Sequence, residues 1–111
     1  MVWNSGWDKL FAEKEWGKYP PEELIRFIKR SFADQNTKDI KVLEVGCGTG
    51  ANIWFLSREG FQVFGIDGSE VAIEQAKKRM KEEGLNADLA VGDILNLPYA
   101  DNFFDCVLDI E

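Results

Sequence analysis

The sequence predicts an α/β protein built around a parallel sheet. Short apolar runs typical of buried strands begin at Ile40, Phe61 and Ala87, and helical segments separate them. Three glycines follow the first run within residues 46–50, where a strand turns into a helix in open α/β folds. Because strands that alternate with helices are joined by right-handed crossovers, we expect a parallel, Rossmann-like sheet.

A helix is predicted ahead of the sheet, in the segment "PPEELIRFIKRSF". Its apolar side chains Leu24, Phe27, Ile28 and Phe32 fall at helical spacing. Two prolines open the segment, and two glutamates in its first turn suit the positive end of a helix dipole. We expect this amphipathic helix to turn these four side chains inward.

Four strands and two further helices follow. The predicted strands are "IKVLEV", "FQVFGID", "ADLAVGD" and "FFDCVLDIE". The helix "TGANIWFLSREG" is expected to begin near Thr49 and to be closed by Gly60. The helix "SEVAIEQAKKRMKEEG" has Ser69 as its N-cap and Gly84 beyond its end. The segment "ILNLPYADN" is rich in turn formers and predicts a loop before the last strand.

The composition of the chain disfavours several classes of binding partner. A chain of 111 residues has the size of one domain, and its net charge of -7 disfavours nucleic acid and anionic membranes as partners. No basic leader and no long apolar span are present, so we expect a soluble, cytoplasmic protein. Two cysteines and no histidine predict that no metal is bound.

The glycine turn predicts a ligand at the carboxyl edge of the sheet. Glycines let a ligand approach the main chain, and the start of the next helix offers unpaired N–H groups. Gly46, Gly48 and Ala51, with Asp67 further on, also satisfy a dinucleotide-binding pattern. Glu44 argues against it, because a carboxylate repels a pyrophosphate and suits a ligand with an ammonium group.

Cys47 lies between two of these glycines. A helix N-terminus would lower the pKa of its thiol, but a nucleophilic role is not expected because the chain has no histidine to serve as base. A disulfide with Cys106 is not expected either, since in parallel register the two residues lie about 13 Å apart along the strands. Asp105, at the start of the last strand, is expected to be structural.

Together these segments resemble the class I S-adenosylmethionine-dependent methyltransferases. The first motif of that family, E-x-G-x-G-x-G, stands here as Glu44, Gly46, Gly48 and Gly50. "GIDGS" resembles the motif at the end of the second strand, "GDILNLP" the motif after the third, and "FDCVLD" the fourth-strand motif. The four motifs occur in the family's order and cover residues 41–111.

The resemblance implies S-adenosylmethionine as the cofactor and assigns each motif to a part of it. Glu44 and the glycine turn, including Cys47, belong to the methionine end, and Asp109 to the methionine or substrate side. Asp67 would hold the ribose hydroxyls. The residues implied at the adenosine are Gly68, Ser69, Asp93 and Ile94.

The family's sheet has seven strands, so the resemblance implies a domain truncated after the fourth strand, in the order 3-2-1-4. We expect residues 1–39 to form a helical segment in which Trp16 and Tyr19 fold over the cofactor as a lid, or pack against the sheet or a partner. Residues 40–111 would form the incomplete cofactor-binding domain.

Three functions stay open at this point. The first is a methyltransferase for a small-molecule acceptor whose truncated chain binds cofactor without turnover. The second is a non-catalytic cofactor-binding or assembly module, and a weaker third is an NAD-linked oxidoreductase. An apolar fourth strand at the edge of the sheet predicts a homodimer in which two copies of that strand pair.

Overall fold

A computed structural model describes residues 20–109, so Trp16 and Tyr19, the predicted lid residues, lie outside the described part. Within residues 20–109 the chain forms three helices and four strands, with a 3₁₀ turn at Thr37–Asp39. The helices are α1 (Glu22–Ser31), α2 (Ala51–Arg58) and α3 (Glu70–Glu83). The strands are β1 (Lys41–Val45), β2 (Gln62–Asp67), β3 (Asp88–Val91) and β4 (Cys106–Asp109).

The four strands form one parallel sheet in the order β3-β2-β1-β4, which confirms the predicted fold class and strand order. β1 is central and almost wholly buried, as its apolar run predicts. The register sets Val45 level with Ile66 of β2 and Asp109 of β4. Asp67 at the end of β2 is level with Val91 of β3, so the carboxyl ends of all four strands meet at one edge.

The main core lies between the sheet and the three helices. Its buried residues come from every helix and from one face of the strands: Leu24, Ile28, Ile40, Val42, Cys47, Ile53, Phe55, Leu56, Phe61, Val63, Ile73, Ala76, Met80, Leu89 and Leu108. On the other face Leu43, Val45 and Ile66 form a second, smaller cluster. Phe64, Tyr99 and Phe104 pack against that cluster, with ring centroids 4.9–6.2 Å apart.

The ends of α2 and α3 follow local signals. Ser69 caps α3, because its hydroxyl accepts from the Ala72 N–H at 3.1 Å, and Gly84 ends the helix in the left-handed conformation. Both assignments confirm the sequence prediction. α2 starts at Ala51 and not near Thr49, because Gly50 adopts the left-handed conformation and serves as its N-cap.

The prediction for α1 is wrong at one residue. Leu24 and Ile28 are buried and Phe32 packs edge-on against Phe61, but Phe27 is 49% exposed. The side chains that contact the core are Leu24, Ile28 and Phe32, which are four residues apart, and Ile25 beside them. Phe27 lies on the other side of this stripe. Helical spacing alone therefore predicted an apolar face wider than the one that packs.

β4 is shorter than predicted. It begins at Cys106, and Phe103 and Phe104 lie in the turn before it. Asp105 closes this turn: its Oδ2 accepts from the Lys41 N–H and its own N–H donates to the Lys41 carbonyl, both at 2.8 Å. The structural role predicted for Asp105 is thus confirmed. Within residues 20–109, no helix has the length and apolar character that crossing a membrane requires.

Candidate functional site at the carboxyl edge of the sheet

The chain reverses direction after β1 through three glycines with positive φ. Gly46, Gly48 and Gly50 have φ of 70°, 57° and 92°, values that L side chains rarely adopt. At Gly50 a Cβ atom would also lie 3.0 Å from the Cβ of Ala76 on α3. The turn therefore requires glycine for its own backbone, and it brings the start of α2 against α3.

The N–H groups of this turn are bonded within the protein. Gly46 and Cys47 donate to the Ile66 carbonyl, at 2.8 and 3.2 Å, and Gly50 donates to the Cys47 carbonyl at 3.2 Å. Gly48 donates to Asp67 Oδ2 at 2.8 Å. Unpaired N–H groups were expected at the start of the next helix, and at Gly50 that expectation is wrong, because its N–H is bonded within the turn. Such a turn is a poor cradle for a pyrophosphate, which needs free donors.

Asp67 holds the turn in place. Besides the bond from Gly48, its Oδ1 accepts from the Ser69 N–H at 2.9 Å, and the residue is 1% exposed. One carboxylate thus joins the turn after β1 to the segment that leads into α3. A buried carboxylate that loses such donors is costly, so Asp67 is required for the local structure as well as for any ligand.

Glu44 is the buried acid at the end of β1 and is 1% exposed. The pKa of its carboxyl is raised from 4.5 to about 8, mainly by burial and to a smaller extent by the charges of Asp67 and Asp109. A hydrogen bond from Asn52 opposes this shift. Glu44 Oε1 has no hydrogen-bond partner in the part of the chain that the structure describes.

Asn52, on the first turn of α2, is the residue that sequence reasoning missed. Its Nδ2 donates to Glu44 Oε2, and its Oδ1 has no hydrogen-bond partner among residues 20–109. Asn52 is buried, as are Ile53 and Leu56 on the same helix. The available signal was an amide near the start of an otherwise apolar helix, eight residues after an acid.

Cys47 points into the main core and not toward the edge. A Cβ on Gly65 would lie 3.0 Å from its sulfur, so the glycine leaves room for the thiol. Burial, with the nearby charges of Glu44 and Asp67, raises the pKa of Cys47, whereas the helix N-terminus alone predicts a lower one. The thiol is therefore not activated. Cys106 is level with Val42 of β1 and forms no disulfide with Cys47.

Comparisons with known proteins identify this arrangement. The profile of a family described as a methyltransferase domain matches residues 42–111, which include the turn, both buried acids and, apart from Lys41 of β1, all four strands. The chain belongs to the class I S-adenosylmethionine-dependent methyltransferases.

Two curated relatives and one solved structure illustrate the relationship. The norajmaline N-methyltransferase of Rauvolfia serpentina is 37% identical over 93 residues, which cover 81% of this chain and 32% of that protein. The ubiquinone biosynthesis O-methyltransferase of Pelagibacter ubique is 35% identical over 94 residues, or 85% of this chain and 39% of that protein. The crystal structure of the PH0226 protein from Pyrococcus horikoshii OT3 has a TM-score of 0.69 and 32% identity, covering 78% of this chain and 36% of that one. The methyltransferase chain thus spans about a third of the length of the relatives it matches.

In the methyltransferase, the residues predicted at the adenosine follow β2 and β3, at the same edge of the sheet as the turn. Ser69 is fully buried and its hydroxyl is used to cap α3, while Gly68 before it is half-buried. Asp93 follows β3 and is exposed; its Oδ1 accepts from the Leu95 N–H at 2.8 Å and so shapes the loop. Ile94 is half-buried against the second core cluster.

Asp109 is the last residue of β4, which neighbours β1 on the side opposite β2. It is exposed, level with Val45 of β1, and close enough for its charge to raise the pKa of Glu44. The structure therefore gathers the predicted acids of β1, β2 and β4 at one edge. These acids differ in exposure: Glu44 and Asp67 are buried, whereas Asp109 faces solvent.

Proposed function

We propose that this chain binds S-adenosylmethionine at the carboxyl edge of the sheet and that the protein methylates a small molecule. The observation that carries the proposal is Glu44, a buried carboxyl next to a turn of three glycines, whose Oε1 has no hydrogen-bond partner among the described residues 20–109. An unpaired buried acceptor calls for a donor, and the ammonium of a methionine end is a donor of opposite charge. The residues present therefore fit this cofactor.

The side chains divide the binding among them. Glu44 takes the ammonium group, and Asp67 keeps the turn in register and holds the ribose hydroxyls. Ile94 supplies an apolar surface for the adenine, Asp93 an acceptor for its amine, and Asp109 a charge near the methionine or substrate side. When bound, S-adenosylmethionine supplies an electrophilic methyl group, so the chain mainly has to orient reactants and exclude water.

The names of two relatives support a small-molecule acceptor. One is named for norajmaline and the other for ubiquinone biosynthesis, and one is an N- and the other an O-methyltransferase. Since the names differ in the atom methylated, we propose the acceptor class and not the atom. A cytoplasmic location belongs to the same proposal.

A cofactor-binding chain without turnover is the second candidate. The chain spans 32% and 39% of two methyltransferase relatives, so the described sheet corresponds to a part of those proteins. The bonded N–H groups of the turn disfavour the third reading, an NAD-linked oxidoreductase, because they leave a pyrophosphate few donors.

Calorimetric titration tests the binding proposal. We expect S-adenosylhomocysteine and S-adenosylmethionine to bind and NAD to bind at least tenfold more weakly. Asp67→Ala should abolish binding, whereas the control Asp88→Ala, an exposed acid at the start of β3, should leave it unchanged. Tighter binding of NAD, or equal binding by the Asp67 variant, would contradict the proposal.

Transfer of a radiolabelled methyl group separates the first two candidates. Incubation of the chain with labelled cofactor and a small-molecule extract should give no product above background if the chain only binds. Labelled product that disappears with Asp67→Ala would show that the chain is itself active.

A further inference from the structure

We propose that Asn52 is a positioning residue for Glu44, and that this pair takes up the ammonium group of a ligand while Glu44 releases a proton to solvent. The inference rests on the proposed function and adds a residue and a proton exchange to it. It concerns the methionine end of the site and leaves the ribose and adenine contacts unchanged.

The pair consists of a buried carboxyl and a buried amide joined by one hydrogen bond. Asn52 Nδ2 donates to Glu44 Oε2, which fixes the carboxyl and the amide relative to each other. The outer atoms of the pair, Glu44 Oε1 and Asn52 Oδ1, are both buried and have no hydrogen-bond partner within residues 20–109. Once Glu44 is ionised, both atoms are buried acceptors that need donors, and an ammonium can supply more than one because it has three N–H groups.

The charges around the pair favour a cation. Asp67 faces Glu44 from the end of β2, Asp109 faces it from the end of β4, and the Cys47 thiol lies in the turn. α2 contributes the neutral amide of Asn52. Burial and the two acids raise the pKa of Glu44 to about 8, so the isolated carboxyl holds its proton at pH 7.

An arriving ammonium reverses this balance. A positive charge within hydrogen-bond distance favours the carboxylate, so the Glu44 O–H bond breaks and its proton passes to water or buffer. One positive charge enters the site as one leaves, and the net charge of the buried site does not change. Asn52 assists because its Nδ2–H bond lowers the pKa of Glu44 and its Oδ1 accepts a second N–H of the ligand.

The proton can be counted by calorimetry at pH 7 in phosphate and in Tris, buffers with different ionisation enthalpies. S-adenosylhomocysteine carries the ammonium group, and 5′-methylthioadenosine has the same adenosyl thioether without it. We expect about 0.9 proton released per S-adenosylhomocysteine bound and none for 5′-methylthioadenosine. The affinity for S-adenosylhomocysteine should rise about tenfold from pH 6 to pH 7, while that for 5′-methylthioadenosine stays constant.

Variants assign the effect to the two residues. Glu44→Gln should abolish the proton release. Asn52→Leu, of similar size, should raise the pKa of Glu44, measured by ¹³C NMR without ligand, and weaken S-adenosylhomocysteine about tenfold or more. Binding of 5′-methylthioadenosine should not change, Asn52→Gln should restore part of the loss, and Asn86→Ala, an exposed asparagine before β3, should change nothing.

The outcomes separate this inference from the proposed function. Binding of S-adenosylhomocysteine without proton release overturns the exchange, and equal weakening of both ligands by Asn52→Leu overturns the positioning role. If neither ligand binds, the proposed function fails and this inference fails with it. If Asn52→Leu does not fold, the proton count of the unaltered chain and the Asn52→Gln variant decide.

Discussion

Replacing Glu44 by glutamine is expected to stabilise the protein at alkaline pH. The glutamine has the same shape, and its Oε1 can still accept the bond from Asn52. It differs in having no charge to bury. Because Glu44 is 1% exposed and its pKa is raised to about 8 by burial, ionising it in the folded state is costly.

The sign and the magnitude follow from proton linkage. The folded-state pKa of Glu44, about 8, lies above its ordinary value of 4.5, so the folded chain holds more protons between these two values. The contribution of Glu44 to stability is therefore complete below pH 4.5 and is lost as the pH rises through 8. At 1.36 kcal/mol per pKa unit, this displacement amounts to about 5 kcal/mol at most.

Urea unfolding of both proteins from pH 5 to pH 9 measures this contribution. The difference in unfolding free energy between Glu44→Gln and the unaltered chain isolates Glu44, because every other group titrates in both. We expect a difference of about 1 kcal/mol or less at pH 5, rising in favour of the variant by several kcal/mol at pH 9. Parallel stability profiles would refute the reasoning and show that Glu44 ionises in the fold at no cost.

Three further predictions concern the turn and the sheet edge. Asp67→Asn should lower the unfolding free energy by about 1.5–3 kcal/mol because two backbone N–H groups lose a charged acceptor, whereas Asp88→Asn should not; equal midpoints in urea would contradict this. Gly50→Ala should lower the unfolding free energy by about 2–4 kcal/mol, because the backbone is strained and the new Cβ crowds Ala76 of α3. Gly84→Ala should lower it by only about 1–2 kcal/mol, because the space around Gly84 is open. Equal decreases in melting temperature would exclude the close approach of Gly50 to α3. We propose that β4, which lies at the edge of the sheet with Val107 56% exposed, pairs with β4 of a second copy. Sedimentation should show a dimer, and Val107→Lys should dissociate it. A monomer at high micromolar concentration would refute this proposal.

Local signals in the sequence determined the elements and their order. The cap at Ser69, the left-handed Gly84 and the buried run of β1 each depend on a few neighbouring residues, so they were predictable. The order β3-β2-β1-β4 followed from the resemblance to the methyltransferases, and the motif E-x-G-x-G-x-G located the site edge. Features of this kind depend on residues that are close in the sequence, so the sequence alone is enough to predict them.

Tertiary structure decided what the site residues do. Spacing placed Phe27 on the apolar face of α1, but only the packing of the folded chain shows that its side chain is exposed. The hydrogen bonds that hold the glycine turn could not be predicted from the sequence, because their acceptors, the Ile66 carbonyl and Asp67, come from β2. The pairing of Glu44 with Asn52 depends on how α2 folds back over β1, and the raised pKa of Glu44 depends on burial by surrounding segments. Desolvation and hydrogen bonding act between atoms that are close in space. The sequence gives only the order of residues along the chain, so it does not show which distant residues come into contact.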